Sequence, residues 1–203
     1  MRFATPYPLD FIPAPIAAGS PGMSVWGGGE VGSCGFSLAS NPSMPSSARV
    51  LTSLGMDVGA PRDRRGRPLP GVSELKMAMS LSYDTFFSVN TAFASALTAS
   101  RLAILLEEFD SAGRFVRALN GGELTIIREE PWWITGVARW APFAVDAAIP
   151  QGRIATRAGF FYRLWIDLNG EIRSAGFGGI GGSAAMAQTS MHLAWVEVEF
   201  VRP

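Results

Sequence analysis

The stretch AGFFYRLWIDLNGEIRSA, residues 158–175, decides the fold class. Phe160, Tyr162, Leu164 and Ile166 alternate with Phe161, Arg163, Trp165 and Asp167, the period-two pattern of a half-buried strand. Asn169-Gly170 follows at once and reads as a hairpin turn. A two-residue turn there would pair Leu168 with Glu171 and Ile166 with Arg173, placing charges on the apolar face. A three-residue loop of Leu168, Asn169 and Gly170, with Gly170 left-handed as a bulge, instead sets Ile166 opposite Ile172 and Trp165 opposite Arg173. The stretch predicts an antiparallel sheet and carries no chemistry of its own.

Outward from this hairpin the same pattern recurs. Pro150-Gln151-Gly152 reads as the turn before it, preceded by strands over residues 132–140 and 143–149. Further back, Asp110-Ser111-Ala112-Gly113 has Asp at the first and Gly at the fourth position of a type I turn, and Asp167-Leu168-Asn169-Gly170 repeats the device. That turn predicts a strand over 101–109 and a return over 114–119. Asn120-Gly121-Gly122 then turns the chain again into a strand over 123–128. Leu75, Met77, Met79, Leu81 and Tyr83 share one parity and predict a strand or two over 74–89. Residues 90–100 fit two patterns, since Phe93, Leu97, Arg101 and Leu105 also have helical spacing; a loop through Ala99 is the reading adopted. At the end of the chain, Ala194, Val196, Val198 and Phe200 form one face of a last strand over 192–201. Many short strands with turn signals between them predict an antiparallel sandwich.

Residues 1–70 differ in character. They hold most of the prolines and many glycines, in runs such as WGGGEVGSCG and APRDRRGRPLPG, with short strands expected only over 35–39 and 48–54. The expected organisation is thus an extended Gly/Pro-rich arm over 1–70 and a sandwich over 71–203. Order in so irregular an arm requires contact with its own sheet or with a neighbouring subunit, where burial offsets the lost chain entropy. The second option is preferred, and it predicts a homo-oligomer.

Composition narrows the function classes. The chain has 203 residues, 48% apolar and only 17% charged, so it has either a large core or apolar surface that meets a partner. The 17 basic and 17 acidic residues cancel, which argues against nucleic acid or an anionic membrane as a bulk partner. Lys76 is the only lysine, an arginine bias that a GC-rich genome also produces. Cys34 is alone, so no intramolecular disulfide and no cysteine-based zinc site is expected. Prolines and Asp10 interrupt the N-terminal run, and neither a signal peptide nor a transmembrane span is expected.

The order PGVSELKMAMSLSYD, ASRLAILLEEFDSAGRFVRAL, a tryptophan segment and AAIPQGRIATRAGFFYRLW resembles the galactose-binding-like jelly-roll family over residues 70–203. The resemblance rests on a strand pair around a D-x-x-G turn, a tryptophan, and a P-x-G entry to a late strand. It implies a jelly-roll-like sandwich, used in carbohydrate-binding modules, enzyme accessory domains and phage tail or capsid surfaces. This chain departs from the family in carrying Trp132, Trp133 and Trp140 in place of a single tryptophan, and no calcium-ligand cluster is evident.

Candidate chemistry is sparse. Gly176-Phe177-Gly178-Gly179-Ile180-Gly181 matches G-x-G-x-x-G, but the segment after it is short for a crossover helix and leaves no room for a parallel sheet. A glycine loop between sandwich strands is the plainer reading. Trp132, Trp140, Tyr162 and Trp165, with Arg173 beside Trp165, are the candidate residues for stacking a sugar ring. Core or interface burial is the competing reading for all of these aromatics. Glu107-Glu108 and Glu129-Glu130 diverge on a strand, so a glycosidase dyad would need pairing such as Glu108 with Asp167 across strands. His192 is the only histidine and reads as an edge residue; G-x-S-x-G is absent. Asp167, Asn169 and Glu171 offer oxygen ligands without the EF-hand glycine position. Arg62-Asp63-Arg64-Arg65-Gly66-Arg67 reads as a solvated loop. The function expected is that of a non-enzymatic structural protein of an ordered assembly, a phage or virus-like tail or capsid surface component. It would be made in the cytoplasm and need no cofactor or metal, and its partners would be itself, other assembly proteins and surface glycans. The alternative is a monomeric carbohydrate-binding module, with a glycan-active enzyme third.

Overall fold

The computed structural model describes the backbone of residues 2–4, 10–18, 21–28, 32–41, 45–130, 132–146, 153–175 and 182–203. It describes their side chains except at 2–4, 10–18, 92–93, 127, 132–135, 137–146 and 182. The described residues form β1 (Arg2–Ala4), β2 (Asp10–Ala18), β3 (Gly22–Gly28), β4 (Ser33–Ala39), β5 (Ser46–Gly59) and β6 (Val72–Phe109). These are followed by β7 (Phe115–Glu129), β8 (Trp132–Asp146), β9 (Ile154–Arg157), β10 (Phe161–Ala175) and β11 (Gly182–Val201). The fold is all β, two antiparallel sheets packed together as a sandwich.

The 38-residue β6 belongs to both sheets. Its residues 74–92 pair with β11, and its residues 95–109 pair with β10. The first sheet runs β2-β5-β10-β6 with β7 along the far side of β6; the second runs β6-β11-β4-β3, with β8 and β9 on β6 and β1 on β11. Along β6 the core face changes parity, from Leu75, Met79, Leu81, Phe87 and Val89 to Ala96, Leu102, Ile104 and Leu106. The change falls where the register against β8 shifts between Ala92 and Ala94, and an added residue there turns the other side of the strand inward. β11 does the same at Ala194: Leu193 and Val196 are both buried around the shift. The sheets meet face to face, with Thr52 Oγ1 3.5 Å from Cys34 Sγ and Thr189 Oγ1 donating to Ser100 Oγ at 3.0 Å.

The central expectation over residues 158–175 is corrected in an informative way. The strand is there, but the hairpin is not: β10 runs unbroken through Asn169 and Gly170, which pair with Leu51 and Val50 of β5 on one side and Arg101 and Ser100 of β6 on the other. Gly170 serves close approach. A Cβ at that position would lie 2.3 Å from Cζ of Phe36, whose ring reaches across from β4 of the opposite sheet. Gly55 under the Trp165 ring and Gly35 under the Trp26 ring repeat the arrangement on the outer faces. These three strand glycines, Gly35, Gly55 and Gly170, are seats for aromatic rings.

Asn120-Gly121-Gly122 is likewise no turn but a bulge inside β7, where Gly122 pairs with Ile104 and Asn120 with Leu105. The loop expected through Ala99 is strand, since Ala99 pairs with both Glu171 and Arg128. The type I turn at Asp110 is present: Gly113 N donates to Asp110 O at 2.9 Å, and Asp110 Oδ1 accepts from the amides of Ala112 and Arg114. Its true repeat is Asp63-Arg64-Arg65-Gly66-Arg67, with the same amide contacts to Asp63 Oδ1 and the same arginine closing the turn. Gly66 and Gly113 take φ of 77° and 75°, the left-handed region that glycine tolerates. Within residues 1–70, the strands expected over 35–39 and 48–54 extend to β4 and β5 and deliver Phe36, Leu38, Val50, Leu54 and Met56 to the core. The Gly176–Gly181 run and the Pro150-Gln151-Gly152 turn lie outside the described residues.

Candidate functional site

Alternate residues of β10 face away from the core, and their register with β5 and β6 builds the outer face of the first sheet. Arg163 stands between Asp57 and Glu107, Trp165 between Gly55 and Leu105, Asp167 between Ser53 and Ala103, and Asn169 between Leu51 and Arg101. Arg163 forks onto Asp57 at 2.8 and 3.3 Å, and its guanidinium lies 5.7 Å from the centre of the Trp165 ring. The indole Nε1 donates to Glu107 Oε2 at 2.7 Å while the ring rests on Gly55. Trp165 is consequently only 9% exposed. Burial raises the Asp167 carboxyl pKa, a Ser53 hydrogen bond opposes the rise, and the Glu107 charge adds to it. Farther along, Glu171 accepts from both Arg49 and Arg173.

Among the described side chains, the candidate residues do not converge. Tyr162 is on the inner side of β10 and is 1% exposed. Trp165 and Arg173 share the outer side but sit eight residues apart on one continuous strand, roughly 26 Å at strand rise. The expected juxtaposition of the two across a hairpin is thereby withdrawn. Trp132 and Trp140 lie on β8 opposite Ser95 and Phe86, and their side chains are outside the described residues. Glu107 and Glu108 do diverge, which puts Glu108 and Asp167 on opposite faces of the sheet and removes them as a facing pair. His192 is exposed, with Nδ1 2.9 Å from Ser33 Oγ.

Glu108 anchors a cluster at the end of the sandwich that carries β6's last residues. Its buried carboxylate takes hydrogen bonds from Tyr162 Oη at 2.7 Å, from Arg117 at 3.2 and 3.3 Å, and from Arg157. Burial alone would raise its pKa. Hydrogen bonds from Arg157, Tyr162 and Arg117 outweigh that and hold it at about 2. Tyr162 is pushed up to about 12, first by burial and then by its bond to Glu108. Arg157 also covers the Phe160 ring at 4.0 Å. The cluster joins β6, β7, β9 and β10, and it reads as a fastening of the sandwich end.

β7, β8 and β9 flank β6 at the other margins of the two sheets, and the strands at the two ends of the strand order differ. At one end of the sheet order, β2 carries Pro13 and Pro15, which have no amide hydrogen to offer a further strand. At the other end β3, GMSVWGG, has no proline and no charge, and among the described strands it pairs with β4 alone. Met23 and Trp26 on it are 37% and 38% exposed.

No family model and no curated protein matches the chain. Solved structures resemble it only distantly. The enzymatically active domain of tailspike protein 4 of bacteriophage CBA120 aligns at a TM-score of 0.24 and 13% identity, over 90% of this chain and 19% of that one. The structure of the infectious bursal disease virus Gt strain aligns at 0.22 and 12% identity, over 95% and 38%. The family 11 carbohydrate-binding module of the Clostridium thermocellum cellulase Lic26A-Cel5E aligns at 0.22 and 9% identity, over 92% and 89%. At these scores the likeness carries no functional argument. Sequence reading missed the Glu108 cluster because its arginines are 9 and 49 positions away. The β3 edge left a signal in a run without charge or proline.

Proposed function

We propose that the chain is a non-enzymatic structural and interaction protein, a sandwich of the jelly-roll kind its sequence resembles, whose copies join through their β3 edges in an ordered assembly. A tail or capsid surface of a virus-like particle is the setting this reading favours. The observation that carries it is the contrast between the two ends of the strand order: β2 carries Pro13 and Pro15, while β3 is uncharged and, among the described strands, pairs with β4 alone. Solvated sheet edges are ordinarily guarded by lysine, proline or a bulge, and an unguarded one is a template for another strand. Antiparallel pairing of β3 with its counterpart in a second copy forms a two-fold contact and continues the sheet across it. The low charge content of 17% fits a surface partly buried in such contacts.

Native mass of the purified chain tests this. The expected result is a dimer or a multiple of it at micromolar concentration, reduced to monomer by Ser24→Lys, which sets like charges against each other across the two-fold edge without disturbing the core. A wild-type chain that stays monomeric, or a Ser24→Lys chain that keeps the full oligomer, refutes the proposal.

A further inference from the structure

We propose that Asn120 is a site of self-catalysed deamidation, in which its side-chain amide is lost as ammonia to an attack by the backbone of Gly121. The reaction needs an exposed asparagine carboxamide, an unhindered amide nitrogen on the next residue and a backbone free to bring the two together. The chain has four asparagines. Asn41 precedes Pro42, whose nitrogen carries no hydrogen, and Asn90 precedes Thr91, whose branched side chain crowds the approach. Asn120 and Asn169 both precede glycine, and on sequence alone they are equivalent.

Their surroundings separate them. Asn169 and Gly170 lie in the middle of β10, with β5 on one side and β6 on the other, and Gly170 is pinned beneath the Phe36 ring. Amides there are held in ladders on both sides, and the attack requires opening the centre of the sheet. Asn120 and Gly121 lie in β7, which among the described strands pairs with β6 alone. The register against β6 shifts here, so Gly121 stands between the Asn120–Leu105 and Gly122–Ile104 pairs with no register partner of its own. Asn120 is exposed, and its Oδ1 accepts a hydrogen bond from the Gly122 amide at 2.8 Å. Gly122 takes a φ of 129°, a conformation open to glycine, and turns its N–H back onto that side chain. The bond closes a ring that contains both the Asn120 Cγ and the Gly121 nitrogen, the two atoms that must join.

The Gly121 nitrogen gives its proton to solvent hydroxide and adds its electron pair to Asn120 Cγ, forming a C–N bond while the π pair of the side-chain carbonyl moves onto Oδ1. The Gly122 N–H already donates to that oxygen, where it stabilises the developing negative charge as an oxyanion donor does. The pair then returns to re-form the carbonyl, the Cγ–Nδ2 bond breaks, and Nδ2 takes a proton from water and leaves as ammonia. Water adds to one of the two carbonyls of the resulting succinimide and opens it to aspartate or to isoaspartate, with no oxidant or reductant involved. The product carries a new carboxylate on the β7 margin of the sheet, where charge disfavours addition of a further strand. The inference does not depend on pairing through β3, which lies in the other sheet.

The test is incubation of the full chain at mildly alkaline pH, folded and in urea, with peptide mass mapping over time. Asn120 of the folded chain is expected to convert within about tenfold of its rate in urea, while Asn169 of the folded chain is slowed at least about tenfold. Isoaspartate is expected in place of Asn120, and Asn120→Gln, whose side chain would have to close a larger ring, is expected to abolish ammonia release from the folded chain. A folded chain in which Asn120 is slowed by more than about tenfold overturns the proposal. So do equal rates at Asn120 and Asn169 in the folded chain, and ammonia release that persists at the wild-type rate in Asn120→Gln.

Discussion

Gly170→Ala, set against Phe36→Leu in a double-mutant cycle, separates the continuous β10 of this structure from the hairpin that its Asn-Gly dipeptide advertises. In the structure the added Cβ would sit 2.3 and 2.4 Å from Cζ and Cε2 of Phe36, where carbon atoms ordinarily rest about 3.5–4.0 Å apart. The ring must retreat by more than about 1 Å within a core packed at crystal density. Phe36 is fully buried, and overpacking of that kind costs about 1–3 kcal/mol, offset by up to about 1 kcal/mol from the reduced freedom of the unfolded chain. A net loss of about 2 kcal/mol lowers the melting temperature of a chain this size by roughly 4–8 °C. A left-handed turn glycine would also lose stability on becoming alanine, so the single variant does not discriminate. Phe36→Leu does. It costs about 1–2 kcal/mol alone by opening a cavity, and in the double variant the alanine methyl occupies the space the ring vacates. Urea denaturation of the four chains should give a double variant more stable than the sum of the singles predicts by about 1–2 kcal/mol. Additivity within about 0.5 kcal/mol would refute the contact across the sandwich.

Two further predictions concern buried ionisable groups. The Glu108 carboxyl is held at about 2, below its ordinary 4.5. Its contribution is therefore fully present above pH 4.5 and is lost as pH falls from there toward 2. Glu108→Gln leaves Arg117 and Arg157 without their shared carboxylate and should cost about 3 kcal/mol at pH 7. Urea midpoints should also fall less between pH 5 and 2.5 in this variant than in wild type; parallel pH profiles would argue against the cluster. Burial pushes the Cys34 thiol up to about 11, against a hydrogen bond from Thr52 and with a further push from Asp167. Folded protein should resist a thiol reagent that labels the urea-unfolded chain stoichiometrically; rapid labelling of the native state would contradict the burial of β4.

Apolar alternation made the fold class legible. Leu75, Met79 and Leu81 point inward as their shared parity requires, as do Tyr162, Leu164 and Ile166. The Asp110 turn was legible from its end residues alone. What failed was the reading of Asn120-Gly121-Gly122 and Asn169-Gly170 as punctuation. Turn chemistry is local, but whether a glycine turns the chain, forms a bulge or makes room for a ring depends on what lies across from it. Phe36 is 134 residues from Gly170, and no window of sequence contains both. The same missing information hid the candidate sites. Trp165 and Arg173 were linked by a hairpin that is continuous strand, whereas Tyr162, Arg117 and Glu108 become neighbours only through register. The D-x-x-G-R turn at Asp63 was present in the sequence but obscured by the surrounding arginines, which read as a charge cluster.

The most direct test of the proposed assembly is amide hydrogen exchange over residues 22–28 as a function of protein concentration. An edge that pairs with a second copy should show β3 amides whose exchange slows as concentration rises, and this slowing should vanish in Ser24→Lys. Exchange in β3 that is fast and independent of concentration would leave the edge unpaired and contradict the account.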